Sequence, residues 1–143
     1  MSVEDRPLLL DTHTWIWLSF GTPGVFSPVM QKRLDLANRA NPLHVSFIST
    51  WEVAMLSVKG RLNLDMPTQA WIEQSLSHPA MRLLALADPA IAVECNELPG
   101  DFHADPADRL LVATARIGGY TLVTRDQKIL DYGKAGHVSV LAA

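Results

Sequence analysis

A chain of 143 residues is long enough for one ordinary domain with a real core, and 48% hydrophobic against 19% charged residues marks it as globular rather than disordered. The formal net charge of −3 argues against a protein that coats nucleic acid by general phosphate attraction, but not against an acidic site that cations neutralise. The single cysteine, Cys95, excludes an intrachain disulfide framework and fits a reducing cytoplasm; no apolar run approaches a membrane span, and Met1 to Arg6 reads as neither a signal peptide nor a basic transit sequence.

Leu8-Leu9-Leu10 is a short apolar run that reads as a buried strand ending at Asp11. Thr12 to Leu18 has helical character. Trp15 and Trp17, two apart, cannot share one face of that helix; core packing is expected for both. A second helix is expected over Pro28 to Ala40, with Ser27 as its cap and Pro28 in the first turn. A second strand follows over Val45 to Ile48. Ser49 then opens a helix to Lys59 that Gly60 stops, with Trp51, Ala54, Met55 and Val58 as its apolar face.

Thr68 to Ser77 reads as a helix started by Pro67, and Met81 to Leu86 as the third strand. Ala90 to Glu97 is helical up to Pro99-Gly100, and Cys95 within it reads as core. The clearest helix is Pro106 to Ile117, closed by Gly118-Gly119, with Leu110, Leu111, Ala113 and Ala115 facing inward. Tyr120 to Val123 is the fourth strand, turning through Thr124-Arg125-Asp126 into a short helix, and Val138 to Leu141 is the fifth. Short apolar strands alternating with helices argue an α/β fold: a three-layer α/β/α sandwich around a mostly parallel sheet of about five strands, one domain over residues 1–143. In such sheets the site lies in the crevice at the carboxyl ends of the strands.

Four carboxylates fall where that edge would gather them. Asp11 follows the first strand and Asp126 the fourth; Asp108 lies in the first turn of the helix before the fourth strand, and Glu52 near the start of the helix after the second. Each also has a plain structural reading. Asp11 and Asp126 could simply cap the helices after them, and Glu52 could be a solvated helix residue, although Ile48, Met55 and Leu56 surround it on its helix. Asp105 precedes proline and is the expected cap of its helix, which leaves Asp108 at the third helical position for the site. Four negative charges in one crevice repel one another, and divalent cations between them remove the penalty. Mg²⁺ and Mn²⁺ take carboxylate oxygens, water and phosphate oxygens, which suits phosphodiester hydrolysis, with one cation activating water and another stabilising the leaving oxygen.

The runs Leu8-Leu9-Leu10-Asp11-Thr12-His13, Ser49-Thr50-Trp51-Glu52-Val53-Ala54, Asp105 to Ala115 and Thr121-Leu122-Val123-Thr124-Arg125-Asp126 resemble the motifs of PIN-domain proteins, above all VapC-type toxins of bacterial toxin–antitoxin pairs. The resemblance extends from about Leu8 to Leu141. It implies a parallel α/β/α sandwich and a Mg²⁺- or Mn²⁺-dependent endoribonuclease whose acidic tetrad is Asp11, Glu52, Asp108 and Asp126. It also implies a homodimer and inhibition by a VapB-like antitoxin protein. Thr124 would be the hydroxyl common beside the last acid, and Thr12 its counterpart beside Asp11; the residue pattern itself leaves Asp105 a minor water- or metal-holding role beside its cap.

Arg109, Arg116, Arg125 and Lys128 flank the acidic segments and are candidates for contact with RNA phosphates. The five histidines, His13, His44, His78, His103 and His137, show no metal-ligand spacing and are expected at the surface or in structural roles. A receiver-type signalling domain shares the acidic pocket but needs a phosphoacceptor Asp after the third strand and a Lys after the last; here Ala87-Asp88-Pro89 follows the third strand and no Lys follows Val138. A catalytically silent nucleic-acid- or protein-binding module would share the fold, but an intact acidic set argues against it. A DNA nuclease with similar metal chemistry would carry the same residues.

Overall fold

The computed structural model describes residues 5–143; Met1 to Glu4, the first residues of the N-terminal segment, lie outside the described residues. The chain runs β1 (Leu8–Leu10), α1 (Thr12–Phe20), α2 (Pro28–Asp35), β2 (Leu43–Ser46), α3 (Phe47–Val58), α4 (Thr68–Leu76), β3 (Met81–Leu84), α5 (Pro89–Asn96), α6 (Pro106–Gly118), β4 (Thr121–Thr124), α7 (Gln127–Lys134) and β5 (Val140–Ala142). All strand pairings are parallel, in the order β3-β2-β1-β4-β5.

The alternation of β1 divides the core. Leu8 and Leu10 face one layer with Trp15 and Ile16 of α1, Met30 and Leu34 of α2, Val53 of α3 and Trp71 of α4. Leu9 faces the other, with Leu111, Val112 and Ala115 of α6 and Ile129 and Tyr132 of α7. A strand buried on both faces has no polar side to show, which is why β1 reads as three consecutive leucines. Cys95 is buried on α5, and no helix among the described residues is long and apolar enough to cross a membrane.

Several boundaries differ from the sequence reading, and local hydrogen bonding explains the differences. The hydroxyl of Ser46 accepts the amide of Ile48 at 3.1 Å, so Ser46 rather than Ser49 caps α3, and the aromatic and β-branched Phe47 and Ile48 belong to the helix. With the cap at Ser46, the buried line of α3 is Ser49 and Val53, whereas Trp51 and Val58 are exposed instead of forming the apolar face. Helix α2 stops at Asp35, short of Ala40, because Asn38 Oδ1 accepts the amides of both Ala40 and Asn41 at 2.9 Å and turns the chain.

Helix α7 approaches β5 closely at Gly133, where an added Cβ would sit 2.3 Å from Val140 Cγ2. Alanine in an ordinary helix is worth about 1 kcal/mol over glycine. Here the stiff β-branched Val140 cannot turn away, and overpacking costs about 1–3 kcal/mol. Gly133→Ala is therefore expected to lower stability by about 1–2 kcal/mol, as a fall in the urea midpoint; a rise would show that α7 and β5 can separate freely.

Candidate metal centre

The chain builds β1, β2 and β3 outward on one side of the sheet, then returns to place β4 and β5 on the other. The order reverses between β1 and β4, and the carboxyl ends of two such strands open a crevice. Asp11 directly follows β1 and Asp126 lies two residues past β4, so the two carboxylates straddle that point. Helix α6 begins at the same edge with Asp108 in its first turn, and α3 brings Glu52 in from the β2 side. Asp11, Glu52, Asp105, Asp108 and Asp126 line one open cavity of about 380 Å³.

Asp11 and Asp126 each cap a helix and also line the cavity. Asp11 Oδ1 accepts the amide of Thr14 at 2.9 Å as the cap of α1, while Oδ2 accepts the Thr124 hydroxyl at 2.5 Å. Asp126 Oδ1 accepts the amide of Ile129 at 3.0 Å as the cap of α7. Capping spends one oxygen and fixes the rotamer, and the rest of the carboxylate remains on the cavity wall. Asp105 caps α6 through the amides of Ala107 and Asp108. Thr12 Oγ1 donates to Glu52 Oε1 at 2.5 Å and is hydrogen-bonded to the buried Ser49 hydroxyl at 2.8 Å, a network that ties α1 to α3. Thr124 Oγ1 in turn accepts the amide of Asp126 at 3.0 Å, so one hydroxyl joins the acids of β1 and β4.

The charges in this crevice are in conflict. Burial, and then the charges of Asp105, Asp126, Glu52 and Asp11, push the Asp108 carboxyl up to about 7. Burial also raises Glu52, against the opposing Thr12 hydrogen bond. Neighbouring like charges with little water between them favour either a proton or a cation.

His103, for which the sequence suggests a surface or structural role, lies beside the acids. Its Nε2 lies 3.1 Å from Asp108 Oδ2, yet it is enclosed and makes no hydrogen bond of acceptable geometry. Nitrogen and oxygen atoms of His103, Asp108 and Asp126 come within 4.8 Å of one another, a separation that a single cation could bridge. The available signal was local: His103 sits two residues before the α6 cap, in a connection too short to carry it away from the helix N-terminus. Hard oxygen donors around an orphaned nitrogen fit a divalent cation.

The basic candidates separate. Arg109 donates from Nε to Cys95 O and from Nη1 to Phe102 O and His103 O, so its guanidinium anchors the α5–α6 connection. Arg116 is paired with Glu94 and donates to His137 O. Arg125 is exposed on the cavity rim with its Cζ 5.4 Å over the Trp17 ring, and Lys128 is exposed on the first turn of α7. Trp15 is fully buried as expected, but Trp17 is only half-buried and lines the cavity. A larger cavity, about 580 Å³, is lined by Leu18, Leu34, Trp71 and Met81 with Asp35 as its one carboxylate.

Residues 8–135 match the PIN domain family. The chain is 33% identical over 133 residues to Ribonuclease VapC22 of Mycobacterium tuberculosis, covering 93% of this chain and 97% of that protein. Among solved structures, it is similar to VapBC2 from Rickettsia felis bound to a DNA fragment from their promoter, with a TM-score of 0.69, 16% identity, and 94% of this chain and 97% of that one covered. It is likewise similar to FitAcB from Neisseria gonorrhoeae, with a TM-score of 0.60, 23% identity and 94% and 96% covered. At those identities the structures speak for the shared fold, a parallel three-layer sandwich, while the family match and the ribonuclease relative span nearly the whole sequence. The chain belongs to the PIN-domain family.

Proposed function

We propose that this chain is a metal-dependent endoribonuclease, the toxin of a toxin–antitoxin pair, and that it hydrolyses RNA phosphodiester bonds at the acidic crevice. The observation that carries this reading is the convergence of Asp11, Glu52, Asp108 and Asp126, far apart in sequence, on one cavity at the sheet's switch point. Asp11, Asp108, Asp126 and Glu52 would hold one or two Mg²⁺ or Mn²⁺. A bound divalent cation supplies charge stabilisation for the phosphate and makes a nucleophile of water near neutral pH.

The protein's own part is to fix and balance the acids. Thr124 holds the Asp11 carboxylate against the amide of Asp126, and Thr12 holds Glu52 at the wall. Both support the site by orienting ligands, and Asp105 orders the α6 N-terminus beneath Asp108. Arg125 and Lys128 are exposed, Arg125 on the crevice rim, and would meet phosphates there, whereas Arg109 and Arg116 have their guanidinium groups engaged by the protein. Arg125→Ala is expected to raise KM for a short RNA about three- to tenfold and to flatten its salt dependence, leaving kcat within about twofold. An unchanged KM would place the RNA path elsewhere.

Support for RNA as substrate comes from the ribonuclease relative, and for an antitoxin partner from the likeness to VapBC structures; the homodimer rests on the resemblance of the sequence motifs alone. The test is cleavage of single-stranded RNA and of DNA of the same sequence by the purified chain. RNA cleavage with Mg²⁺ or Mn²⁺, abolished by EDTA and by Asp126→Asn, is expected. Cleavage that persists in EDTA rejects the metal mechanism, and cleavage of DNA alone rejects the substrate.

A further inference from the structure

We infer that His103 supplies a nitrogen ligand to the cation site and so makes it prefer Mn²⁺, or another first-row transition ion, to Mg²⁺; this rests on the proposed metal-dependent reading of the crevice. Nε2 of His103 is enclosed, lacks a hydrogen-bond partner and faces the acids. An unsatisfied buried polar atom is rare because it costs free energy, and a missing ion is one of the standard reasons for it. The spacing fits. Ligands about 2.1 Å from a six-coordinate cation lie about 3.0 Å apart along an octahedral edge, and Nε2 is 3.1 Å from Asp108 Oδ2. Across the same octahedron they lie about 4.2 Å apart, and the His103, Asp108 and Asp126 atoms fall within 4.8 Å.

The ring is held for this task before any ion arrives. Arg109, on the same turn of α6 as Asp108, donates to the carbonyls of Phe102 and His103 at 2.9 and 3.2 Å, and the Phe102 ring packs against the imidazole with centroids 4.5 Å apart. His103 Nδ1 accepts the Asp105 amide at 3.4 Å, a contact at the long end of the hydrogen-bond range. Imidazole adds affinity for transition ions and little for Mg²⁺, which takes oxygen.

Electron spin-echo spectroscopy of the full chain loaded with Mn²⁺ reads a directly bound nitrogen without any turnover. A ¹⁴N coupling is expected in the wild type and in His13→Asn, which alters the histidine that lines the cavity. It should vanish in His103→Ala and His103→Asn, and calorimetry should show the Mn²⁺-over-Mg²⁺ preference narrowing about tenfold. The wild-type spectrum carries the answer even if a variant fails to fold. Bound Mn²⁺ without nitrogen coupling overturns the His103 ligand and leaves the carboxylate site standing. Absence of Mn²⁺ binding overturns both.

Discussion

Asp11→Asn is expected to lower the single-turnover rate of RNA cleavage by roughly 10²–10³-fold or more, the range seen when one preorganised electrostatic group is removed from an active site, while the chain stays folded. Asp11 is 8% exposed at the end of the central strand, where it caps α1 and accepts the Thr124 hydroxyl. Asparagine keeps an oxygen for the amide of Thr14, so the cap survives. Its amide group, in place of Oδ2, can donate to Thr124 Oγ1, which reverses that hydrogen bond rather than deleting it. The stability change should therefore stay within about 1 kcal/mol. What disappears is the negative charge at the switch point, and with it an anionic ligand. Rates from single turnovers, set beside thermal melting, separate the two effects. A variant that cleaves within tenfold of the wild type would remove Asp11 from the chemistry.

Asp108→Asn should abolish cleavage yet stabilise the metal-free protein at neutral pH. The folded chain holds the Asp108 proton up to about 7, against an ordinary value of 3.8. Below the ordinary value both folded and unfolded chains are protonated and no penalty exists. Between there and about 7 the unfolded chain ionises first, so stability falls as pH rises. Above about 7 the penalty is complete. Taken at face value the shift is worth about 4 kcal/mol. The side chain is 24% exposed on an open cavity, and screening by water reduces the figure to about 1–2 kcal/mol.

Asparagine has no charge to bury. In EDTA the variant's Tm should exceed the wild type's by about 5 °C at pH 8, and the difference should vanish near pH 4. Glu52, also raised by burial, adds a slope of the same sign in both proteins. Mn²⁺ should raise the wild-type Tm and narrow the gap, because a ligand that binds only the folded state stabilises it. A variant less stable than the wild type at pH 8 would mean that Asp108 is held by contacts, not strained by its neighbours.

Most of the framework was legible because its elements are locally over-determined. The triple leucine of β1, the Asp105-Pro106 start of α6 and its Gly119 end each carry their own signal, and all lie at or within one or two residues of where the sequence reading put them. The acids at strand ends were legible because a parallel sheet sends its carboxyl ends to one edge. Other features depend on tertiary choices. Ser46 and Ser49 are both plausible caps by type. Ser49 is hydrogen-bonded to Thr12 across 37 residues inside α3 while Ser46 caps it, and Trp51 is exposed. His103 has no ligand spacing with any other histidine, and the groups that lie near it are carboxylates on α6 and beyond β4. Arg109 looks like a phosphate contact by position, but its carbonyl acceptors come from the connection that folds back beside it.

The shared cation is most directly tested by anomalous diffraction from crystals soaked in Mn²⁺. A single peak or a close pair of peaks within direct reach of carboxylate oxygens of Asp11, Asp108 or Asp126 is expected. A crevice without a peak, under soaking that places Mn²⁺ elsewhere on the molecule, would contradict it.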